Sequence, residues 1–209
     1  TKDEIHLLLE EKYDQFNRVS FIESDPISIP HLFSRKEDIE IAGFLTATIA
    51  WGNRKMIINN AKRMMDLMGN SPYDFVMSHK NHHLESLDSF VHRTFNGHDF
   101  KTFVLGLNHI YTNHKGLENA FSNYEKEEMR SVQTNIHLFK KKFFECTNFE
   151  RSKKHVSDPL QGSAAKRINM FLRWMVRKDN KGVDLGIWQS IPTSSLSCPL
   201  DIHSGNVAR

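Results

Sequence analysis

Cysteine is nearly absent from this chain: Cys146 and Cys198 are the only two in 209 residues. Two thiols make no disulfide framework, and their scarcity fits a reducing cytoplasm. Also missing is any apolar run long enough to cross a bilayer, which excludes a helical membrane span. The opening stretch TKDEIHLLLEEKYDQF reads as an amphipathic charged helix and not as a signal sequence. Strand patterns are nearly absent, and there is no internal repeat or low-complexity tract.

What is present is helical. Periodicity or strong helix formers predict helices near 2–16, 38–50, 54–68, 99–114, 128–147, 164–178 and 201–209, with short ones at 71–78 and 184–189. The segments SDPISIP, NSPYD, FNGHD, SDPLQGS and SIPTSS read as loops. At 39% hydrophobic and 25% charged residues, the composition is that of a soluble globular protein. The expected fold is all-α, one unit over 1–209 built of two lobes with a ligand cleft between them.

A net charge of +3 conceals a one-sided distribution. Between Lys140 and Lys181 stand 12 Lys and Arg against 4 Asp and Glu, a surplus of +8 that leaves the remainder of the chain at −5. Nucleic-acid-binding proteins show this footprint, because neutralising phosphates releases counterions. A solvated helix face with FKKKFF patterning would also look basic.

Lys166 lies inside the basic block, in GSAAKRINMFLRWMVR. Ser163 suits an N-cap, which puts Lys166 in the first turn of a helix continuing through Ile168, Phe171, Leu172, Met175 and Val176. There the positive helix end and Arg167 disfavour the ammonium, and the free amine is a Schiff-base nucleophile. Thirty-five positions later comes Asp201, in CPLDIHSGNVAR. Pro199 breaks what precedes it, Asp201 can cap the helix that follows, and the same dipole favours its carboxylate. A carboxylate beside a sugar stabilises the positive charge that grows at the anomeric carbon as a glycosidic bond breaks.

These two segments resemble the helix-hairpin-helix DNA glycosylase superfamily, whose bifunctional members carry a lysine in the hairpin and an aspartate in a later P-V-D-x-H-like stretch. PLDIHSGNVAR looks like that stretch, with Asp201 matching the aspartate and His203 the histidine. QGSAAKRINMF looks like a worn hairpin with Lys166 at the nucleophile's position. Where the family hairpin has two glycines near a phosphate, this chain has Gly162 and Ala164. The gap from lysine to aspartate is also longer, by KDNKGVDLGIWQSIPTSSLS. A third segment, EIAGFLTATIAWGNRKMIINNAKRMMDLMG, is similar to the paired helices of 8-oxoguanine glycosylases, with Asn53 and Arg54 on the turn that enters the duplex. Over residues 38 to 209 the chain looks most like a bacterial family known only as a domain of unknown function, distantly related to these enzymes. The glycosylases continue beyond the point matching Arg209, so the sequence reads as a fragment or as part of a longer chain.

The resemblance implies a bacterial DNA-repair glycosylase with AP-lyase activity on an oxidised purine such as 8-oxoguanine. Lys166 and Asp201 would be catalytic. Asn53, Arg54, Gly162, Ser163, Arg167 and His203 would contact double-stranded DNA carrying the damaged base. The chemistry calls for no metal and no cofactor, and the expected protein is a cytoplasmic, nucleoid-associated monomer.

Several residues carry a plainer reading beside the functional one. Gly52 and Asn53 also fit a helix end followed by an N-cap, and Arg93 fits a surface loop support as well as a phosphate grip. Trp188 would stack on an extruded base or fill the core, the core weighing more; Cys198 would line the site or pack as a small hydrophobe. Asp184 reads as a helix cap. Two rival functions stay open. One is DNA or RNA binding with catalysis lost, which the worn hairpin allows. The other is an HD-type metal-dependent phosphohydrolase built on His79, His82, His83 and the pair His98 and Asp99, although Asp99 reads more simply as the N-cap of FKTFVLGLNHIY.

Overall fold

The run IEIAGFLTATIA offers water almost no polar face, and a helix apolar on all sides belongs inside. The computed structural model describes residues 1–122, 131–147, 149–199 and 206. Nine α-helices stand among those residues: α1 Lys2–Phe16, α2 Lys36–Thr48, α3 Arg54–Leu67, α4 Pro72–Ser78, α5 Asn81–Glu85, α6 Gly97–His114, α7 Leu117–Ser122, α8 Val132–Phe143 and α9 Lys166–Val176. The apolar run is α2, and every residue from Ile39 to Thr48 is buried. The only sheet among the described residues is a hairpin of β1 Val91–His92 and β2 Phe95–Asn96, antiparallel with Val91 opposite Asn96. The fold is all-α, as the periodicity predicts.

Phe44, on α2, is the hub of the core. Its ring centroid lies 5.7 Å from Phe103 of α6, 5.6 and 5.4 Å from Phe139 and Phe143 of α8, and 5.5 Å from Phe171 of α9. The first pair is stacked and the other three are edge-on; aromatic contacts of either kind add about 0.5–1.5 kcal/mol each beyond the area they bury. Four helices are thereby fixed around one side chain. Gly43 lets α9 approach α2, because a Cβ there would stand 2.9 Å from Met175 Cε.

Helix ends depart from expectation in three places. Asn96, not Asp99, is the N-cap of α6; the two form a reciprocal capping box, with Asn96 Oδ1 accepting from the Asp99 N–H and Asp99 Oδ2 from the Asn96 N–H. Ser163 is not the N-cap of α9, which follows a left-handed Ala165 (φ 46°). No helix forms over 184–189. There the N–H groups of Leu185 and Gly186 donate to Trp174 O, and that of Trp188 to Met175 O, so the segment satisfies the open carbonyls of α9. Asp184 caps nothing: its buried carboxylate accepts from Arg173 and Arg177. The segment SDPISIP, expected as loop, contains the 3-10 turns Pro26–Ser28 and Pro30–Leu32. The helix expected over 201–209 lies outside the described residues except for Asn206, and that over 128–147 is described from residue 131 and begins at Val132.

α1 stands apart from this packing. None of its residues is buried. It is held at its end, where Asn17 Nδ2 donates to Asp179 at 2.8 Å, the Arg177 guanidinium lies over the Tyr13 ring, and Phe16 packs edge-on against Phe21. No helix among the described residues is long and apolar enough to cross a membrane.

Candidate functional site

The turn before α9 is built from Asp158 onward. Its side chain accepts from the Leu160 N–H and from His137 Nδ1, at 2.9 Å, while its carbonyl takes the Ser163 N–H. Gly162 follows with φ 80°, and nothing lies within 4 Å of where a Cβ would project, so its backbone can be approached closely. Ser163 Oγ accepts from the Ala165 N–H, which makes it a turn residue. Ala165 then adopts the left-handed conformation that costs an L-residue about 1–2 kcal/mol, held there by complete burial. Lys166, exposed, is the first residue of α9, where the partial positive charge of the helix end is greatest.

Arg167 turns inward from the same turn. It donates to the carbonyl of Thr48 at the end of α2 and lays its guanidinium over Trp51, 4.6 Å from the ring centroid. Burial pushes its pKa down, yet a guanidinium stays charged at neutral pH. Trp51 is packed on its other sides by His155, stacked at 6.1 Å, and His92, edge-on at 5.1 Å. Directly after Trp51 comes Gly52 (φ 101°), where a Cβ would meet Arg93 Nη1 at 2.7 Å. Asn53 then caps α3 by accepting from the Met56 N–H, and Arg54 opens that helix exposed. The turn at Asn53 and the turn at Lys166, 113 positions apart, are thus joined by one arginine. Arg93 supports the first of them.

Asp99 anchors the neighbouring network. Fully buried, it accepts from Ser152 Oγ at 2.8 Å, the Asn96 N–H at 3.0 Å and Arg151, and His155 Nε2 lies 3.3 Å away. Burial alone would push its carboxyl up; the Asn96, Ser152 and Arg151 donors outweigh that and hold it below the ordinary carboxylate value. A carboxylate so fully engaged has little left for a metal. His98 packs on Phe149, His79 Nδ1 binds the carbonyl of Val76, and His83 Nδ1 accepts from the Lys80 N–H. Among the described residues no metal-sized group of ligands includes any of them. Among the described residues the HD-type arrangement does not form.

A second polar centre lies under α2. Glu40, 2% exposed, accepts from Trp188 Nε1 at 2.7 Å and from Tyr111 Oη at 2.6 Å, at the edge of a hollow of about 220 Å³ that also borders Lys36, Tyr73, Gly116 and Glu118. Burial raises the Glu40 carboxyl despite those donors. Glu118, also pressed upward by burial, instead falls to about 2, because Lys36 and the N–H groups of Gln189 and Ser190 bind its carboxylate. Trp188 is therefore a core residue, 3% exposed and 5.4 Å from Phe171, which excludes it as a stacking platform for an extruded base. Nothing in the sequence pointed to Glu40 except its place as the lone acid in an apolar run. Since its folded pKa is raised, its contribution declines as pH climbs above the unfolded value of 4.5. Glu40→Gln mimics the protonated form, so its unfolding free energy from urea titration should match wild type near pH 4 and exceed it at pH 8 by on the order of 1 kcal/mol. Lower stability of the variant at pH 8 would refute the assignment.

Cys198 is exposed, not a buried hydrophobe, and its neighbour Ser197 accepts from Gln133 Nε2 at 2.6 Å. Asp201 and His203 lie outside the described residues. A family described as "Protein of unknown function (DUF2400)" matches residues 25–209. No curated protein and no solved structure matches the chain.

Proposed function

The chain belongs to this DUF2400 family, and since the family's description names no activity, we propose from the residues themselves a DNA base-excision glycosylase with AP-lyase activity, Lys166 its nucleophile. The observation that carries this reading is an exposed lysine at the first position of α9, joined through Arg167 to the turn bearing Asn53 and Arg54. Phosphates would meet the open backbone at Gly162, the exposed Ser163 and the basic block around them.

The chemistry is that of an amine on a sugar carbon. The Lys166 Nζ lone pair forms a bond to C1′ while the electrons of the glycosidic bond leave with the base, which takes up a proton. Loss of the amine proton and ring opening give a Schiff base, and abstraction of a C2′ proton then expels the 3′ phosphate. Asp201, on the strength of its motif, is assigned to stabilise the positive charge at C1′. On an abasic site the same amine condenses with the open-chain aldehyde and releases water. The burial of Trp188 weights the reading toward this sugar-directed step, for it removes the aromatic wall expected for a purine.

Borohydride trapping tests it. The full chain should form a covalent adduct with a duplex bearing an abasic site, and Lys166→Gln should lose it; an adduct with 8-oxoguanine would add base excision. DNA binding without catalysis is favoured by Ala164 in place of a hairpin glycine, and salt-sensitive binding with no adduct on any duplex would establish that alternative and end the lyase proposal.

A further inference from the structure

The end of α6 and the turn after α8 meet at three potential metal ligands. α6 finishes at His114, where Lys115 turns left-handed (φ 58°). α8 crosses α6 so closely that a Cβ on Gly106 would lie 2.7 Å from Phe143, and the chain beyond Phe143 carries Glu145 to the end of α6. His109 Nε2 stands 3.4 Å from Glu145 Oε2, and His114 Nε2 4.0 Å from the same oxygen; one ligand atom from each residue falls within 4.8 Å of the others.

Both Nε2 atoms are sealed from solvent and lack a hydrogen-bond partner. Buried polar atoms left in that state are rare, and a bound ion is one of the few conditions that satisfies them. The spacing is within reach of an ion as well. Ligand atoms about 2.0–2.1 Å from a tetrahedral Zn²⁺ are about 3.4 Å apart. Of the three separations, His109 to Glu145 already has that length at 3.4 Å, His114 to Glu145 is longer at 4.0 Å, and the two imidazole nitrogens lie within 4.8 Å of each other and draw together on the ion. The C-terminal ends of α6 and α8 both face this corner, and their partial negative charge favours a cation. We infer that His109, His114 and Glu145 form a Zn²⁺ site with three protein ligands and an open fourth position, tying the end of α6 to the end of α8.

Occupancy requires two rearrangements. Asn113 Nδ2 lies 3.0 Å from His109 Nδ1, which makes Nδ1 the acceptor and leaves the ring proton on Nε2. On metal binding that proton moves to Nδ1 with none released overall, and the exposed Asn113 turns its amide oxygen to accept it. Lys142 also acts on Glu145 and must yield the carboxylate to the ion. The site shares no residue with the lysine chemistry above and stands or falls independently of it.

The test is titration of the chelator-treated full chain with Zn²⁺ and, in parallel, Co²⁺. One equivalent of Zn²⁺ should bind and raise the thermal midpoint, and Co²⁺ should give the visible absorption of a tetrahedral N/O site. His114→Gln and Glu145→Gln should each weaken binding at least about 100-fold, whereas the exposed His98→Gln should leave it unchanged. The wild-type cobalt spectrum decides the matter even if a ligand variant fails to fold. Substoichiometric zinc with an octahedral cobalt spectrum, or binding that survives both ligand variants, would overturn the site.

Discussion

Asp99→Ala should destabilise the protein by about 3–5 kcal/mol, the cost seen when one member of a buried charge network is removed and its partners stay behind. The substitution strips the acceptor from Ser152 and Arg151 and opens the capping box at the start of α6. Ser152 is itself fully buried, so water cannot replace what it loses. Since total stability is usually about 5–15 kcal/mol, much of the margin would go. Asp99→Asn keeps the shape and one acceptor and should recover part of the loss. Because the folded pKa of Asp99 is depressed, its stabilisation is full above the unfolded value of 3.8 and disappears as pH falls through the folded one. Urea unfolding of the three proteins at pH 7 and at a series of pH values below 3.8 reads both effects. A loss below about 1 kcal/mol at pH 7 for the alanine variant would mean that the network contributes little.

Gly97→Ala should cost about 3 kcal/mol, near the upper end for overpacking, although alanine is the better helix former by about 1 kcal/mol. The added Cβ would stand 2.5 Å from Leu87 O and 2.6 Å from Asp88 Cα. Both obstacles are backbone, and no rotamer change relieves them. The first turn of α6 would have to lift from the 3-10 turn Ser86–Ser89, carrying Asp99 with it. Gly43→Ala is the matched control, because its closest obstacle is the flexible end of Met175. Thermal unfolding should rank Gly97→Ala well below Gly43→Ala, and equal losses would show that the backbone contact yields readily.

Local signals carried the fold a long way. The apolar run of α2, the amphipathic stripes of α3, α8 and α9, and the Asn53 cap are all written in neighbouring residues. Where sequence reasoning misplaced an element, a distant partner had intervened. Ser163 has the chemistry of an N-cap, but burial of Ala165 forces a left-handed residue between them and moves the helix start beyond its reach. Leu185, Gly186 and Trp188 have their backbone N–H groups drawn to the end of α9, and the same pull delivers the Trp188 indole to Glu40. The candidate site divides similarly. Lys166 could be singled out from its own segment, while the Arg167–Trp51 stack is a tertiary contact with no local trace. His109, His114 and Glu145 were equally hidden, since 31 positions and a crossing of two helices separate the last pair.

The isolation of α1 bears on how this molecule melts. A helix of 15 residues that buries none of them draws its order from its own backbone bonds and a tether at one end. At that length, helix formation in water is marginal and broad in temperature. The core around Phe44 is expected to come apart in a single cooperative step, while α1 frays gradually beneath it. Far-ultraviolet ellipticity therefore sums two processes with different enthalpies, and a midpoint taken from it alone belongs to neither.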